Sequence, residues 1–259
     1  MSCIYLQTMA TISSNKRFSF DWQQSSYLPF KSFEHLETLI YPLSVKDFFR
    51  KYWKKKAVFI PGVTSNKFEK LLSWEQLQTL LVECSYDHIR CFDNSAPISG
   101  KKADLLEQWH QGQTLHIERI EKLVPALEEV CRQIAGELKA STKMYAFCSH
   151  PNHPGAHLHY DRFDVVVLQL QGYKKWKVQL TETKKPYLDC TLSPGDLLYI
   201  PRGHWHFAVA SQEQSLHLTL GISFKNFNDL PLEPSILSTI RPKIKNKLAK
   251  LNLSALGLR

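Results

Sequence analysis

The chain has 259 residues, 33 Lys and Arg against 24 Asp and Glu, a formal charge of +9 at pH 7 and 43% hydrophobic side chains. That length and apolar content can bury a substantial core in one catalytic domain with helical additions, which excludes a disordered or fibrous chain. No run is long and apolar enough to span a bilayer. Six cysteines without a Cys-x-x-Cys pair read as reduced thiols in a cytoplasmic compartment rather than as a zinc or disulfide framework.

Met1 to Phe30 are polar and rich in Ser and Gln, and the short apolar patch Ile4-Tyr5-Leu6 lacks the basic start and sustained apolar run of a signal peptide. Residues 1–30 are expected to be a poorly ordered leader, or to follow a start placed too early, with Met9 the alternative. Residues 31–227 are expected to form the catalytic domain. Ser44 suits an N-cap, and Val45, Phe48, Phe49, Tyr52 and Trp53 follow helical spacing before the basic run Lys54-Lys55-Lys56. Pro125 opens a second helix whose buried face is Leu127, Val130, Ile134 and Leu138. Strands are then expected around Met144–Phe147, Phe163–Leu170, Lys175–Leu180, Leu188–Leu192, Asp196–Ile200, Trp205–Ala210 and Ser215–Phe224. Short strands between Gly and Pro turns indicate a double-sheet barrel, so the fold class is mainly β with α additions and a helix-rich first half.

The chemistry lies in two motifs within that barrel. His159 and Asp161 stand two positions apart, so on an extended strand both side chains leave the same face and can grip one ion. Gly195-x5-Pro201-x-Gly203-x2-His206 builds a tight turn that delivers a further histidine onto the next strand. Two neutral imidazoles and one carboxylate on one side of a metal leave the opposite positions open, as in non-haem Fe(II) oxygenases. His157 shares the face of His159, and His204 that of His206, so spacing alone leaves the register open.

After the barrel, Arg241, Lys243, Lys245, Lys247, Lys250 and Arg259 follow one another with no acidic residue between them. Ile240, Ile244, Leu248 and Leu251 recur at helical spacing, so residues 242–251 are expected to form a helix with one apolar and one basic face. The 228–259 tail then has three outlets: a homodimer contact, its own barrel, or a nucleic acid or anionic membrane.

The run from His159-Tyr160-Asp161-Arg162-Phe163-Asp164 through the apolar strand to Gln171-Gly172-Tyr173-Lys174-Lys175-Trp176 closely resembles the core of the JmjC ribosomal oxygenases, also called the cupin-4 family. Val45 to Ile60 is similar to that family's entry motif, a helix ending in Trp, then basic residues and a strand. The resemblance covers roughly residues 40–225, and it implies a double-stranded β-helix of JmjC type. It selects His159 rather than His157 and makes His159, Asp161 and His206 the Fe(II) ligands. It also places Lys174 where the family pairs a cation with the distal carboxylate of the co-substrate 2-oxoglutarate. A lysine inside a barrel is costly unless it meets an anion, which gives Lys174 a physical reason to face inward.

The implied reaction is oxidative decarboxylation of 2-oxoglutarate to succinate coupled to hydroxylation of a side chain. Relatives act on a histidine or arginine of a ribosomal protein, so an extended peptide is the expected substrate, with Tyr145 and Asp164 lining its groove. His217 resembles a family histidine on the last core strand and is expected at the pocket wall rather than as a fourth ligand. A peptide-tailoring hydroxylase, a lysine demethylase and a non-oxygenase metal-binding cupin remain as alternatives. The chain departs from the family pattern in its His-rich loop at 145–156 and in Ala210, where the general cupin pattern ends in Asn. Its end at Arg259 leaves no room for the winged-helix domain of larger relatives.

Overall fold

The run Val165-Val166-Val167-Leu168 is apolar at every position because its strand is covered on both faces. In the computed structural model, which describes residues 35–83, 88–93, 96–98 and 100–224, this strand lies inside a two-sheet barrel. The expected leader at 1–30 lies outside the described residues, as do Cys3, Cys84 and the tail helix with Ile240, Ile244, Leu248 and Leu251.

The first half supplies helices and sheet extensions. Helix α1 (Leu36–Ile40) is followed by α2 (Val45–Asp47), which runs on into a π-helical turn at Phe48–Tyr52. Ser44 caps α2, its Oγ accepting from the Asp47 N–H at 3.1 Å. Next come β1 (Val58–Ile60), α3 (Trp74–Glu83), β2 (Ile89–Asp93), β3 (Ala96–Ile98), α4 (Lys102–His110) and β4 (Thr114–Glu118). Helix α5 (Pro125–Leu138) starts on its proline and buries Leu127, Val130, Ile134 and Leu138, as the periodicity predicts.

The second half is strand: β5 (Ser141–Ser149), β6 (His159–Tyr160), β7 (Asp164–Gln171), β8 (Lys174–Gln179), β9 (Leu188–Leu192), β10 (Leu197–Ile200), β11 (Trp205–Ala210) and β12 (Ser215–Ser223). Eight strands form the larger sheet in the order β1-β10-β7-β12-β5-β4-β2-β3, and four form the smaller in the order β6-β11-β8-β9. Among the described residues the strand pairings are antiparallel, for example Leu220 of β12 opposite Met144 of β5 and His206 of β11 opposite His159 of β6.

Alternation sorts the side chains into two cores. Val165 and Val167 face Trp176, Val178 and Ala208 of the smaller sheet, while Val166 and Leu168 face the helices with Ile134, Leu138 and Phe48. A fully buried side chain of this size is worth about 1.5–3 kcal/mol, so the strand is fixed from both sides. No helix among the described residues is long and apolar enough to cross a membrane.

Candidate metal centre and co-substrate pocket

Strand β6 is only two residues long, and Asp161 falls just beyond it rather than on it. The turn before β11 holds it in place: the Gly203 N–H donates to the Asp161 carbonyl at 2.8 Å. Gly203 carries φ +80°, a backbone conformation that glycine adopts without strain. The β6–β11 pairing sets His159 directly opposite His206, with ring centroids 4.5 Å apart. One ligand atom each from His159, Asp161 and His206 all lie within 4.8 Å of one another. The His206 Nε2 to Asp161 Oδ2 separation is 3.5 Å, near the roughly 3 Å that two donors adopt when they share an ion about 2.1 Å away.

Both imidazoles are oriented in the same way. His159 Nδ1 meets the carbonyl of His157 at 2.6 Å, and His206 Nδ1 meets that of His204 at 3.0 Å. A carbonyl accepts, so each Nδ1 carries the proton and each Nε2 is left with a lone pair, the second-layer arrangement that metal-binding histidines use. Burial, reinforced by the field of His159, lowers the His206 pKa to about 4, so its ring is neutral at physiological pH. Burial raises the Asp161 carboxyl, and His159 opposes that shift. A cation placed here would compensate the desolvated carboxylate, so the donor set fits a divalent metal.

The competing histidines face elsewhere. His157 is exposed, and His204 Nδ1 is held by the Tyr187 hydroxyl at 2.7 Å. Lys174 points inward, 1% exposed, its Nζ donating to Ser149 Oγ at 2.7 Å. Its neighbours Lys175 and Lys177 alternate outward to Asp189, at 3.6 and 3.8 Å. Burial lowers the Lys174 pKa to about 7.

Lys174, His159, Asp161 and His206 line one pocket of about 460 Å³ counted to its open mouth, walled by Phe147, Trp176, Ala208 and His217. His217 is buried against this wall, its ring parallel to Phe147 at 4.9 Å and edge-on to Trp176 at 5.4 Å. Its Nδ1 has no hydrogen-bond partner, and burial drives its pKa well below the usual histidine value. Tyr145 is half-buried at the Asp161 end, stacked on Phe163 at 6.1 Å.

Asp164 corrects an expectation. It is fully buried rather than facing a groove, and its Oδ1 accepts from the Tyr199 hydroxyl at 2.8 Å and the Arg202 N–H at 3.3 Å. The carboxylate thus ties β7 to β10 and to the turn that carries His206. Ser149 and Thr114 were not singled out in the sequence: Ser149 accepts from Lys174, and Thr114 Oγ1 donates to it at 3.0 Å. Small hydroxyl residues at strand ends leave no periodic signal.

A two-sheet barrel with a His-x-Asp and a histidine on the adjacent strand is the arrangement of a double-stranded β-helix of cupin type with a candidate metal site. The family profile described as JmjC domain matches residues 119–230. That stretch resembles the JmjC-domain family. It is 24% identical over 239 residues to the "bifunctional lysine-specific demethylase and histidyl-hydroxylase NO66" of Drosophila sechellia, covering 81% of this chain and 36% of that protein. With the Drosophila grimshawi protein of that name it shares 27% over 241 residues, 78% of this chain and 32% of that one. The chain thus spans about a third of the length of the curated relatives it matches. Among solved structures, the Escherichia coli ribosomal oxygenase YcfD superposes with a TM-score of 0.59 at 20% identity, covering 80% of this chain and 56% of that one. A YcfD structure in complex with cobalt and 2-oxoglutarate gives 0.56 at 19%, covering 80% and 57%. These likenesses agree with the fold derived above.

Proposed function

We propose that the chain is an Fe(II)- and 2-oxoglutarate-dependent oxygenase that hydroxylates a histidine or arginine side chain of a protein, with a ribosomal protein as substrate. The observation that carries this reading is the shared pocket: a two-histidine, one-carboxylate cluster and a buried, acid-free lysine line the same cavity. Iron bound there would activate oxygen at the expense of 2-oxoglutarate, which leaves as succinate and carbon dioxide. His159, Asp161 and His206 would hold the metal from one side, and Lys174 with Ser149 would hold the far carboxylate. Phe147, Trp176 and Ala208 exclude water from the space between them. The histidyl-hydroxylase named among the relatives and the likeness to YcfD support the substrate class. In this reading the catalytic unit spans residues 31–227, the protein works in the cytoplasm, and the 228–259 tail joins two copies.

The test is purified protein incubated with Fe(II), 2-oxoglutarate, air and extracted ribosomal proteins. The expected result is succinate together with a gain of one oxygen atom on one protein, both lost in Asp161→Ala. Formaldehyde with loss of a methyl group would instead mark a demethylase. Absence of succinate from every mixture would favour a non-oxygenase cupin.

A further inference from the structure

Behind Lys174 two buried hydroxyls run in a row to the wall of the pocket. Lys174 Nζ donates to Ser149 Oγ at 2.7 Å, Ser149 Oγ lies 3.0 Å from Thr114 Oγ1, and Thr114 Oγ1 lies 3.2 Å from the Pro154 carbonyl oxygen. Strand pairing builds this row: β4 and β5 set Leu115 opposite Cys148, so one step further Thr114 at the start of β4 meets Ser149 at the end of β5. Pro154 belongs to the loop between β5 and β6, which lies along β11. It bridges to Val209 there, and the Gly155 N–H donates to the Ala208 carbonyl at 3.2 Å. Gly155 and Ala156 then line the pocket, and a Cβ on Gly155 would lie 3.7 Å from Lys174 Nζ. Three residues after Ala156 the same segment delivers His159.

Proton counting gives the row two settings. Thr114 has two acceptors within reach, Ser149 and Pro154, but a hydroxyl has one proton to donate, and a carbonyl only accepts. Hydroxyl protons rotate, so the same oxygen positions serve both settings. In the first, Ser149 donates to Thr114 and Thr114 donates to Pro154, so the row runs in one direction from the lysine to the loop and every hydroxyl proton has an acceptor. In the second, Thr114 donates to Ser149, and the Ser149 proton is free for another acceptor. The Pro154 carbonyl then keeps the His153 Nδ1, at 3.4 Å, and gives up Thr114. Ser149 and Thr114 are both fully buried, so bulk water replaces neither bond. An empty pocket thus favours the first setting, because the second leaves the Ser149 proton without a partner. A carboxylate held by Lys174 and Ser149 together takes that proton and imposes the second.

We propose that Thr114 is a positioning residue that couples the co-substrate's far carboxylate to the 150–158 loop: binding withdraws the Thr114 proton from the Pro154 carbonyl and turns it to Ser149. This coupling rests on Lys174 and Ser149 holding that carboxylate, as in the oxygenase reading. It reverses the sign that a structural contact would give. The wild type gives up the Thr114–Pro154 bond when it binds the dicarboxylate, whereas a chain without the Thr114 hydroxyl has no such bond to lose. A hydroxyl that only held the fold together would weaken binding when removed.

The test is isothermal titration of the full chain and its variants with 2-oxoglutarate in the presence of Co(II). Thr114→Val is expected to bind about three- to tenfold more tightly than the wild type, the equivalent of one hydrogen bond no longer broken. Thr114→Ser, which keeps the hydroxyl, is expected to stay within about twofold of the wild type. If valine unfolds the chain, Thr114→Ala is read in the same way. Ser149→Ala is expected to weaken binding, and Thr114→Val added to it to change nothing further, since without the Ser149 proton the Thr114–Pro154 bond is never broken. Equal or weaker binding by Thr114→Val, or the same gain with and without Ser149, overturns the coupling. Lys174→Met separates this failure from that of the oxygenase reading. If it binds 2-oxoglutarate like the wild type, or if the wild type does not bind it, the co-substrate site is wrong and the coupling falls with it. Loss of binding in Lys174→Met beside an unmoved Thr114→Val sinks the coupling alone.

Discussion

Substituting Lys174→Met separates what this lysine costs the fold from what it contributes to binding. Burial lowers its pKa from 10.5 to about 7. At 1.36 kcal/mol per unit, the charged form is disfavoured by about 5 kcal/mol in the folded state. Below pH 7 the folded and unfolded chains both carry the proton, and the whole cost is present. Between 7 and 10.5 the unfolded chain holds a proton that the folded one has released, so stability rises with pH until the cost vanishes. Between about pH 6 and about pH 9.5 the wild type should therefore gain roughly 3 kcal/mol relative to Lys174→Met. Methionine matches the length of the stem and gives up the Ser149 hydrogen bond, worth about 1 kcal/mol. Urea unfolding of both proteins at the two pH values, without co-substrate, measures the difference. Isothermal titration with 2-oxoglutarate, in the presence of a divalent metal, should show binding only in the wild type. A stability difference that is flat with pH, or a variant that binds the dicarboxylate with wild-type affinity, would refute the reasoning.

Three other substitutions test the scaffold around the site. His206→Ala should abolish Co(II) binding followed by its visible absorption, whereas His204→Ala, which removes a ring tied to Tyr187, should leave affinity within about threefold, because second-layer losses beyond tenfold belong to groups that orient ligands. Tyr199→Phe strips the hydroxyl that accepts from the Lys54 N–H and donates to Asp164, and should lower urea stability by about 1–3 kcal/mol; an unchanged midpoint would contradict the clamp. Gly195 has φ +89°, and a Cβ there would lie 2.2 Å from the Thr64 carbonyl oxygen, so Gly195→Ala should cost roughly 2–4 kcal/mol, read as a lower thermal midpoint.

The barrel strands were legible because their signals are local. Apolar runs between Gly and Pro turns placed β5 and β7 to β12 to within a few residues, and Pro125 with its helical stripe placed α5. The extension of the larger sheet by β4, β2 and β3 was not legible. Thr114–Glu118 becomes a strand by pairing with β5 across α5, a non-local contact that its five residues do not announce. Register at the site had the same character. Spacing cannot separate His157 from His159 or His204 from His206; the β6–β11 pairing and the Tyr187 hydroxyl do. Asp164 misled because a carboxylate beside a metal motif suggests an open groove, while it is buried and its Oδ1 accepts from both Tyr199 and the Arg202 backbone.

In the proposed function, His159, Asp161 and His206 share one iron whose co-substrate reaches Lys174. Crystals grown anaerobically with Fe(II) and 2-oxoglutarate, with data collected at the iron absorption edge, test it directly. The expected result is one anomalous peak about 2.0–2.2 Å from His159 Nε2, an Asp161 carboxylate oxygen and His206 Nε2, with the far carboxylate of 2-oxoglutarate about 2.8 Å from Lys174 Nζ. An iron peak elsewhere, or a dicarboxylate that leaves Lys174 bonded only to Ser149, would contradict it.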